Sequence, residues 1–246
     1  MKEVVISVRN LTKCFGNFTA VNNISFDVLR GEIFGFLGAN GAGKTTAMRM
    51  LCGLSFPTSG SGSVAGFDVM KDGELIKQHI GYMSQRFSLY NDLTVGENIQ
   101  LFAGIYNLSK AQTEQRSCQL LERLNFSSER NTLVGALPLG WKQKLSFAIA
   151  NIHEPKVVFL DEPTGGVDPL TRRQFWELIY ETAEKGTTIF VTTHYMDEAE
   201  YCSRLSIMVA GEVRALDTPR NLKREFAAES MDEVFRVIAR GAKRCD

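Results

Sequence analysis

The chain has 246 residues, 44% of them hydrophobic, with 28 Lys and Arg balanced by 28 Asp and Glu. That length suits one large domain or two small ones with a buried core, and the neutral balance supplies no overall basic field to gather nucleic acid. Five scattered cysteines (Cys14, Cys52, Cys118, Cys202 and Cys245) contain no C-x-x-C pair, the start from Met1 to Ile6 has no signal-type apolar region, and no apolar run is long enough to span a bilayer, so neither a disulfide framework nor a zinc ribbon is suggested and a reduced cytosol is the simple reading.

In chain order, Val4 to Val8 alternates as a strand does, and Val21 to Val28 is a second strand ended by Arg30-Gly31. Glu32 to Leu37 is short and apolar on both faces, as in a buried strand. Gly38 to Gly43 forms a turn, and Thr45 to Cys52 has helical spacing stopped by Gly53. Phe56 to Gly66 reads as a loop with one short strand at Ser63 to Ala65, followed by a helical turn at Leu75 to His79 and a strand at Gly81 to Ser84. From Thr94 to about Asn151 the apolar residues recur at helical spacing, and Pro155 ends the block. Val157 to Leu160 is a buried strand, Leu170 to Thr182 a helix and Thr187 to Thr193 another buried strand. Leu205 to Val209 and Val213 to Leu216 form a hairpin around Ala210-Gly211-Glu212, Pro219 opens a further helix, and Met231 to Ala239 is a last amphipathic one. Buried strands followed by helices indicate an α/β core. The alternating early strands indicate an antiparallel sheet beside it, and the helical block interrupts the core.

Gly38-x-x-x-x-Gly43-Lys44-Thr45 fits the phosphate-loop pattern G-x-x-x-x-G-K-[ST]. Glycines let the backbone wrap around oxygens where a Cβ would clash, and the loop's N–H groups form an anion nest at a helix N-terminus. Lys44 would reach the β- and γ-phosphates of a nucleotide, and the Thr45 hydroxyl would ligate Mg²⁺. The strand Val157 to Leu160 ends in two carboxylates, Asp161 and Glu162. They are either a hydrated strand end or, with a phosphate loop upstream, a metal-facing and a water-facing acid. His194 also sits at a strand end, where α/β sites assemble. His79 and His153 have no such placement and read as structural, and no histidine pair has the spacing of zinc ligands.

Together these motifs resemble the nucleotide-binding subunits of ABC transporters, in the order and spacing of seven elements from Leu11 to about Ala239. The resemblance implies a P-loop NTPase core with an antiparallel β subdomain and an inserted α-helical subdomain. One ATP-binding domain over 1–246 would have its core at 1–90 and 155–220, the helical subdomain at 91–154 and a helical tail at 221–246. It implies roles as well. Phe15, in Leu11-Thr12-Lys13-Cys14-Phe15-Gly16, would stack on adenine. Gln85, in Tyr82-Met83-Ser84-Gln85, would approach Mg²⁺ and the attacking water, and the loop after it would touch a membrane subunit. Gly165-Gly166-Val167-Asp168 would meet the opposite subunit, and His194, in Thr193-His194-Tyr195-Met196-Asp197-Glu198-Ala199, would be a switch near the γ-phosphate. The implied catalytic set is Lys44, Gln85, Glu162 and His194. Nucleotide contacts fall to Phe15, Gly38, Asn40, Gly41, Ala42, Gly43, Lys44, Thr45, Thr46 and Gly140, and magnesium ligands to Thr45, Gln85 and Asp161.

Leu137-Pro138-Leu139-Gly140-Trp141-Lys142-Gln143 stands where the family signature Leu-Ser-Gly-Gly-Gln belongs. Pro138 replaces a serine whose hydroxyl would bond the γ-phosphate held by the other subunit, and Leu139 replaces a glycine. A proline suits a helix start, so the helix amides could still face phosphate while the side-chain contact is lost. This form resembles a branch of the exporter-type subunits and also ribosome-associated ATPase relatives, while His194 to Ala199 and the tail Ser230 to Phe235 resemble the exporter branch that includes drug and polysaccharide exporters. The resemblance therefore implies an ATPase subunit, using ATP and Mg²⁺, that pairs with a second ATP-binding subunit and drives a separate polytopic permease from the cytoplasmic face of the membrane. No nucleic-acid partner is expected. A soluble ribosome-associated ATPase and a nucleotide-gated binding module with weak turnover are the alternatives. The chain is either one half of a tandem protein or, as Met1 and the family-like tail suggest, a complete unit, and the basic stretch Arg236 to Arg244 either meets lipid headgroups or is a solvated end.

Overall fold

The computed structural model describes residues 3–85 and 89–241. Met1, the start of the loop after Gln85, Cys245 and the end of the basic tail lie outside the described residues. In chain order the elements are β1 (Val4–Phe15), β2 (Phe18–Leu29), β3 (Ile33–Leu37), α1 (Lys44–Leu51), β4 (Ser59–Val64), β5 (Phe67–Asp68), α2 (Gly73–His79) and β6 (Ile80–Met83). The helices α3 (Val95–Ile105), α4 (Lys110–Leu124) and α5 (Leu139–Ala150) follow. Then come β7 (Val157–Asp161), α6 (Pro169–Glu184), β8 (Thr188–Thr193), β9 (Arg204–Val209), β10 (Glu212–Asp217), α7 (Pro219–Glu225) and α8 (Met231–Gly241).

Two sheets organise the fold. One is antiparallel, in the order β2-β1-β4-β5, and the other has the order β10-β9-β3-β8-β7-β6. In the second, β9, β3, β8, β7 and β6 run parallel and β10 closes the edge antiparallel. Every residue of β3, β7 and β8 is buried, as a sheet covered on both faces requires. Successive side chains divide between two apolar layers. Phe34, Phe36, Phe159 and Phe190 point toward α1 and the antiparallel sheet, while Ile33, Leu37, Val158, Leu160, Ile189 and Val191 point toward α5, α6 and the C-terminal helices. The first layer contains a knot of rings in which Phe190 lies 5.2–6.2 Å from Phe26, Phe34, Phe36 and Phe159. A third cluster holds the helical block, and α5 belongs to both: Leu145 and Ile149 face α3 and α4, whereas Phe147 and Ala150 face the core. The mixed α/β architecture, the antiparallel sheet beside it and the helical insertion agree with the expectation.

Three local readings need correction. β1 continues to Phe15 rather than stopping at Val8, because the register shifts between Val8 and Leu11, where Asn10 has φ +51, and the shift breaks the period-two pattern. β4 occupies all of Ser59–Val64, most of which reads as loop. Gly60 stands where a Cβ would lie 2.3 Å from the Asn10 carbonyl oxygen, so its glycine marks a close strand rather than a break. The single helical block is three helices. Capping boxes at Thr94/Glu97 and Ser109/Gln112 start α3 and α4, and the left-handed residues Asn107 and Asn125 follow their ends.

Candidate active site

The site grows from the end of β3. Three glycines of the turn do different things. A Cβ on Gly38 would stand 2.5 Å from the Met208 carbonyl oxygen, so only glycine fits against β9. Gly43 has φ +103 and no room either, with the Ala20 carbonyl oxygen 2.4 Å from a Cβ, which ties the loop to β2. Gly41, with φ +79, has nothing within 4 Å of that position among the described residues, so its glycine serves the turn and leaves the backbone open to a ligand. Asn40 is exposed and Ala42 buried, and the Ala42 carbonyl accepts a hydrogen bond from the Gly211 amide at 3.0 Å. The Ala47 amide closes the first helical bond of α1 on the Gly43 carbonyl (2.9 Å), so the amides of Lys44, Thr45 and Thr46 precede it and lack intrahelical acceptors.

Lys44 is 4% exposed. Its ammonium donates to the carbonyls of Gly38 (2.8 Å) and Ala39 (3.2 Å) and lies 3.5 Å from Glu162 Oε1. Burial lowers its pKa, and the Glu162 carboxylate opposes that shift. Across the sheet, Asp161 ends β7 at 3% exposure. It accepts hydrogen bonds from the hydroxyls of Thr192 (2.6 Å) and Thr45 (3.4 Å). Burial raises its pKa against the Thr192 hydrogen bond.

Glu162 follows with φ +49, a left-handed backbone uncommon in a residue with a side chain. That turn separates the two acids. Asp161 stays with Thr45 and Thr192, while the carboxylate of Glu162 gathers three other groups. Oε1 faces Lys44, and Oε2 accepts from Gln85 Nε2 (2.9 Å) and lies 3.1 Å from His194 Nδ1. The four residues expected to be catalytic thus meet at one carboxylate, and two of the three expected metal ligands, Thr45 and Asp161, touch beside it.

These donors fit a magnesium–phosphate group. Mg²⁺ takes oxygen ligands and needs few of them from protein, completing its shell with phosphate oxygens and water. The Thr45 hydroxyl and the Asp161 carboxylate are such donors, and among the described residues no cluster of three His, Cys, Asp or Glu forms an all-protein cage. The unpaired amides of α1, the open backbone at Gly41 and the Lys44 ammonium suit phosphate oxygens.

Two expected residues lie outside this cluster. Phe15 ends β1 opposite Phe18, 56% exposed, with the Lys13 ammonium 5.1 Å from its ring centre. Gly140, in the first turn of α5, packs on Thr171, whose methyl carbon would stand 2.4 Å from a Cβ there. Among the described residues no hydrogen bond joins Pro138, Leu139 or Gly140 to the phosphate loop. Their segment turns instead to the loop after β7: Gln143 Nε2 donates to the Gly165 carbonyl at 3.2 Å. Thr192 is a site residue that the sequence reading misses. Its hydroxyl and carbonyl hold Asp161 and the Glu162 amide, a consequence of the Asp161–Thr192 register. The available signal was a hydroxyl residue late in a buried strand two residues before His194.

The family model described as ABC transporter matches residues 21–165. The chain is 47% identical over 94% of its length to the probable multidrug ABC transporter ATP-binding protein YbhF of Escherichia coli K12, and spans 40% of that protein. It is 37% identical over 96% of its length to the Nod factor export ATP-binding protein I of Rhizobium sp. strain N33, covering 78% of that protein. A solved structure described as the ATP-binding subunit of an ABC transporter superposes with a TM-score of 0.86 at 30% identity, over 95% of this chain and 99% of that one.

Proposed function

This chain belongs to the ABC transporter family of ATP-binding domains, and we propose that it binds ATP with Mg²⁺ and hydrolyses it to drive an export system through a separate membrane subunit. The observation that carries the reading is the meeting of Lys44, Gln85 and His194 on the Glu162 carboxylate, next to the Thr45–Asp161 contact. Lys44 exchanges the Gly38 and Ala39 carbonyls for phosphate oxygens and stabilises the charge that develops there. Thr45, Asp161 and Gln85 would hold Mg²⁺, which would supply positive charge to neutralise the phosphates. Glu162 polarises the attacking water and takes its proton, while Gln85 and His194 orient the carboxylate. Phe15 offers a ring face to adenine, and Gly38 to Thr46 wrap the phosphates.

The second half of the site comes from another ATP-binding subunit, identical or paired, through Gly140 at the start of α5 and the Gly165–Asp168 loop. Tyr90, in the segment after Gln85, and Leu101 and Ile105, on α3, are exposed apolar residues, and they support contact with a membrane subunit there. No helix among the described residues is long and apolar enough to cross a membrane, so the attachment we propose, on the cytoplasmic face, runs through that subunit. The similarity to ATP-binding proteins named for multidrug and Nod factor export supports the export direction. We read 1–246 as one ATP-binding domain with 91–154 as its helical subdomain. No nucleic-acid partner is needed, given the balanced charge.

The test is Glu162→Gln, followed by phosphate release and by light scattering at saturating Mg-ATP. Turnover falls by about 10²-fold or more, and the variant accumulates as an ATP-bound dimer. A monomeric variant beside a hydrolysing wild type counts against the two-subunit site, and a wild type without turnover counts against the enzyme.

A further inference from the structure

Glu198 takes no part in the site above, yet it is fully buried at 0% exposure. A carboxylate in such a place needs partners, and its partners come from two sides. The buried Thr164 hydroxyl, in the loop after β7, donates a hydrogen bond to Oε1. From the first turn of α6, Arg172 brings Nε to 3.6 Å from the same oxygen. Burial pushes the Glu198 carboxyl up in pKa, against the hydroxyls of Thr164 and Thr193 and the Arg172 guanidinium.

Arg172 reaches further along the segment after β8. Its Nη1 lies 3.2 Å from Asp197 Oδ2, and its guanidinium sits 4.6 Å from the centre of the Tyr195 ring. The Tyr195 ring in turn lies 4.2 Å from that of His194. Arg172 also belongs to the helix that Asp168 caps, its amide donating to the Asp168 carbonyl at 3.0 Å. The loop from Glu162 to Asp168 is therefore fastened at both ends to the segment that carries His194: through Thr164 and Glu198 at one end, and through α6 and Arg172 at the other.

An apolar pair would fill this space with less desolvation cost, so stability alone does not explain the charges. Lysine could not replace the planar guanidinium, which spans two carboxylates and a ring face. Thr164 and Arg172 both meet Oε1, and Glu198 Oε2 has no hydrogen-bond partner among the described residues.

We propose that Arg172 and Glu198 are a positioning pair that keeps His194 in register with the Gly165–Asp168 loop, so that engagement of that loop by a second subunit is transmitted to the histidine beside Glu162. The inference rests on the functional reading above. It predicts residues that act on turnover without touching nucleotide.

The experiment uses the full chain with Glu198→Gln, Arg172→Ala and Arg172→Lys. ADP affinity is measured by titration calorimetry, and turnover is followed against ATP concentration. Glu198→Gln, which keeps the shape, and Arg172→Ala lower kcat about tenfold or more and bring the Hill coefficient toward one, while ADP affinity stays within about twofold and KM within about threefold. Arg172→Lys falls between Arg172→Ala and the wild type. An active wild type whose variants keep its kcat and Hill coefficient overturns this inference alone, as does a loss of kcat matched by an equal loss of ADP affinity. A wild type that does not hydrolyse ATP overturns the functional reading, and this inference with it.

Discussion

Two helix N-termini in this chain are built in opposite ways. α1 starts from Gly43, inside a loop pressed against β2 and β9, with Lys44 drawn into the interior between carbonyls and Glu162. α5 starts from Pro138, and its first turn presents Leu139 and Trp141 at 41% and 37% exposure. Both ends carry the partial positive charge of a helix start. Only the first is surrounded by the lysine, hydroxyl and carboxylates that finish a phosphate site. On the reading proposed above, that difference makes the first a nearly complete reaction centre and the second a surface offered to another subunit's site.

The comparison breaks most sharply at Lys44. Lys44→Ala removes the only buried cation among the described residues, and turnover falls by about 10²–10³-fold. It also leaves Glu162 without its cationic neighbour, so the loss exceeds what weaker ATP binding explains. Steady-state phosphate release with a separate ADP titration distinguishes the two effects.

Glycine substitutions sharpen the contrast through stability. A methyl at Gly43 meets the Ala20 carbonyl at 2.4 Å and demands φ +103 of an alanine. Neither can relax without moving β2, so Gly43→Ala costs about 3 kcal/mol or more, which lowers the unfolding midpoint by about 6–12 °C. Gly140 has the same 2.4 Å clearance, but against the Thr171 methyl; turning that side chain away gives up its hydroxyl hydrogen bond to Asp168, about 1 kcal/mol, which the helix preference for alanine, about 0.5–1 kcal/mol, largely offsets. Gly140→Ala leaves the midpoint within about 2 °C. Its turnover falls about tenfold if α5 meets phosphate, because the methyl then stands between the helix amides and the ligand. Thermal unfolding and phosphate release on the same two variants test the pair.

The uneven legibility of the sequence has the same physical origin. The Gly38–Thr45 loop could be read because close backbone packing and left-handed turns are written as glycine at fixed spacing. The buried strands β3, β7 and β8 were legible from unbroken apolar runs, and the acids and histidine from their places at strand ends. Glu162 takes its left-handed turn without a glycine to announce it. Thr192 reaches Asp161 only through the register of β7 and β8, a pairing between residues far apart in sequence. Glu198 and Arg172 look like ordinary solvated charges until the fold buries one under the other. Only the end of β4 is legible, because its glycines and serines suggest a loop, and the helix breaks at Asn107 and Asn125 are lost inside a longer apolar period.

The smallest expected effect lies at Pro138, and it tests the surface end directly. Four other helices here start from Thr94, Ser109, Asp168 and Thr218, with φ near −66° and ψ between 151° and 167°, and in each the side chain accepts a hydrogen bond from the first turn. Pro138 has nearly the same backbone, φ −56° and ψ 152°, without a side chain that can accept. Pro138→Ser therefore installs a cap on a backbone already shaped for one, a gain of about 1 kcal/mol. The loss of proline's restraint on the unfolded chain, about 0.4–1 kcal/mol, offsets most of it. The midpoint stays within about 2 °C, while the new hydroxyl adds a donor where the phosphate of the opposite subunit would sit. The apparent KM for ATP in turnover then falls about threefold, the size of one modest hydrogen bond. An unchanged KM would mean that the amides of α5 carry the contact alone, and a fall in kcat would mean that the proline itself sets how far Gly140 reaches across.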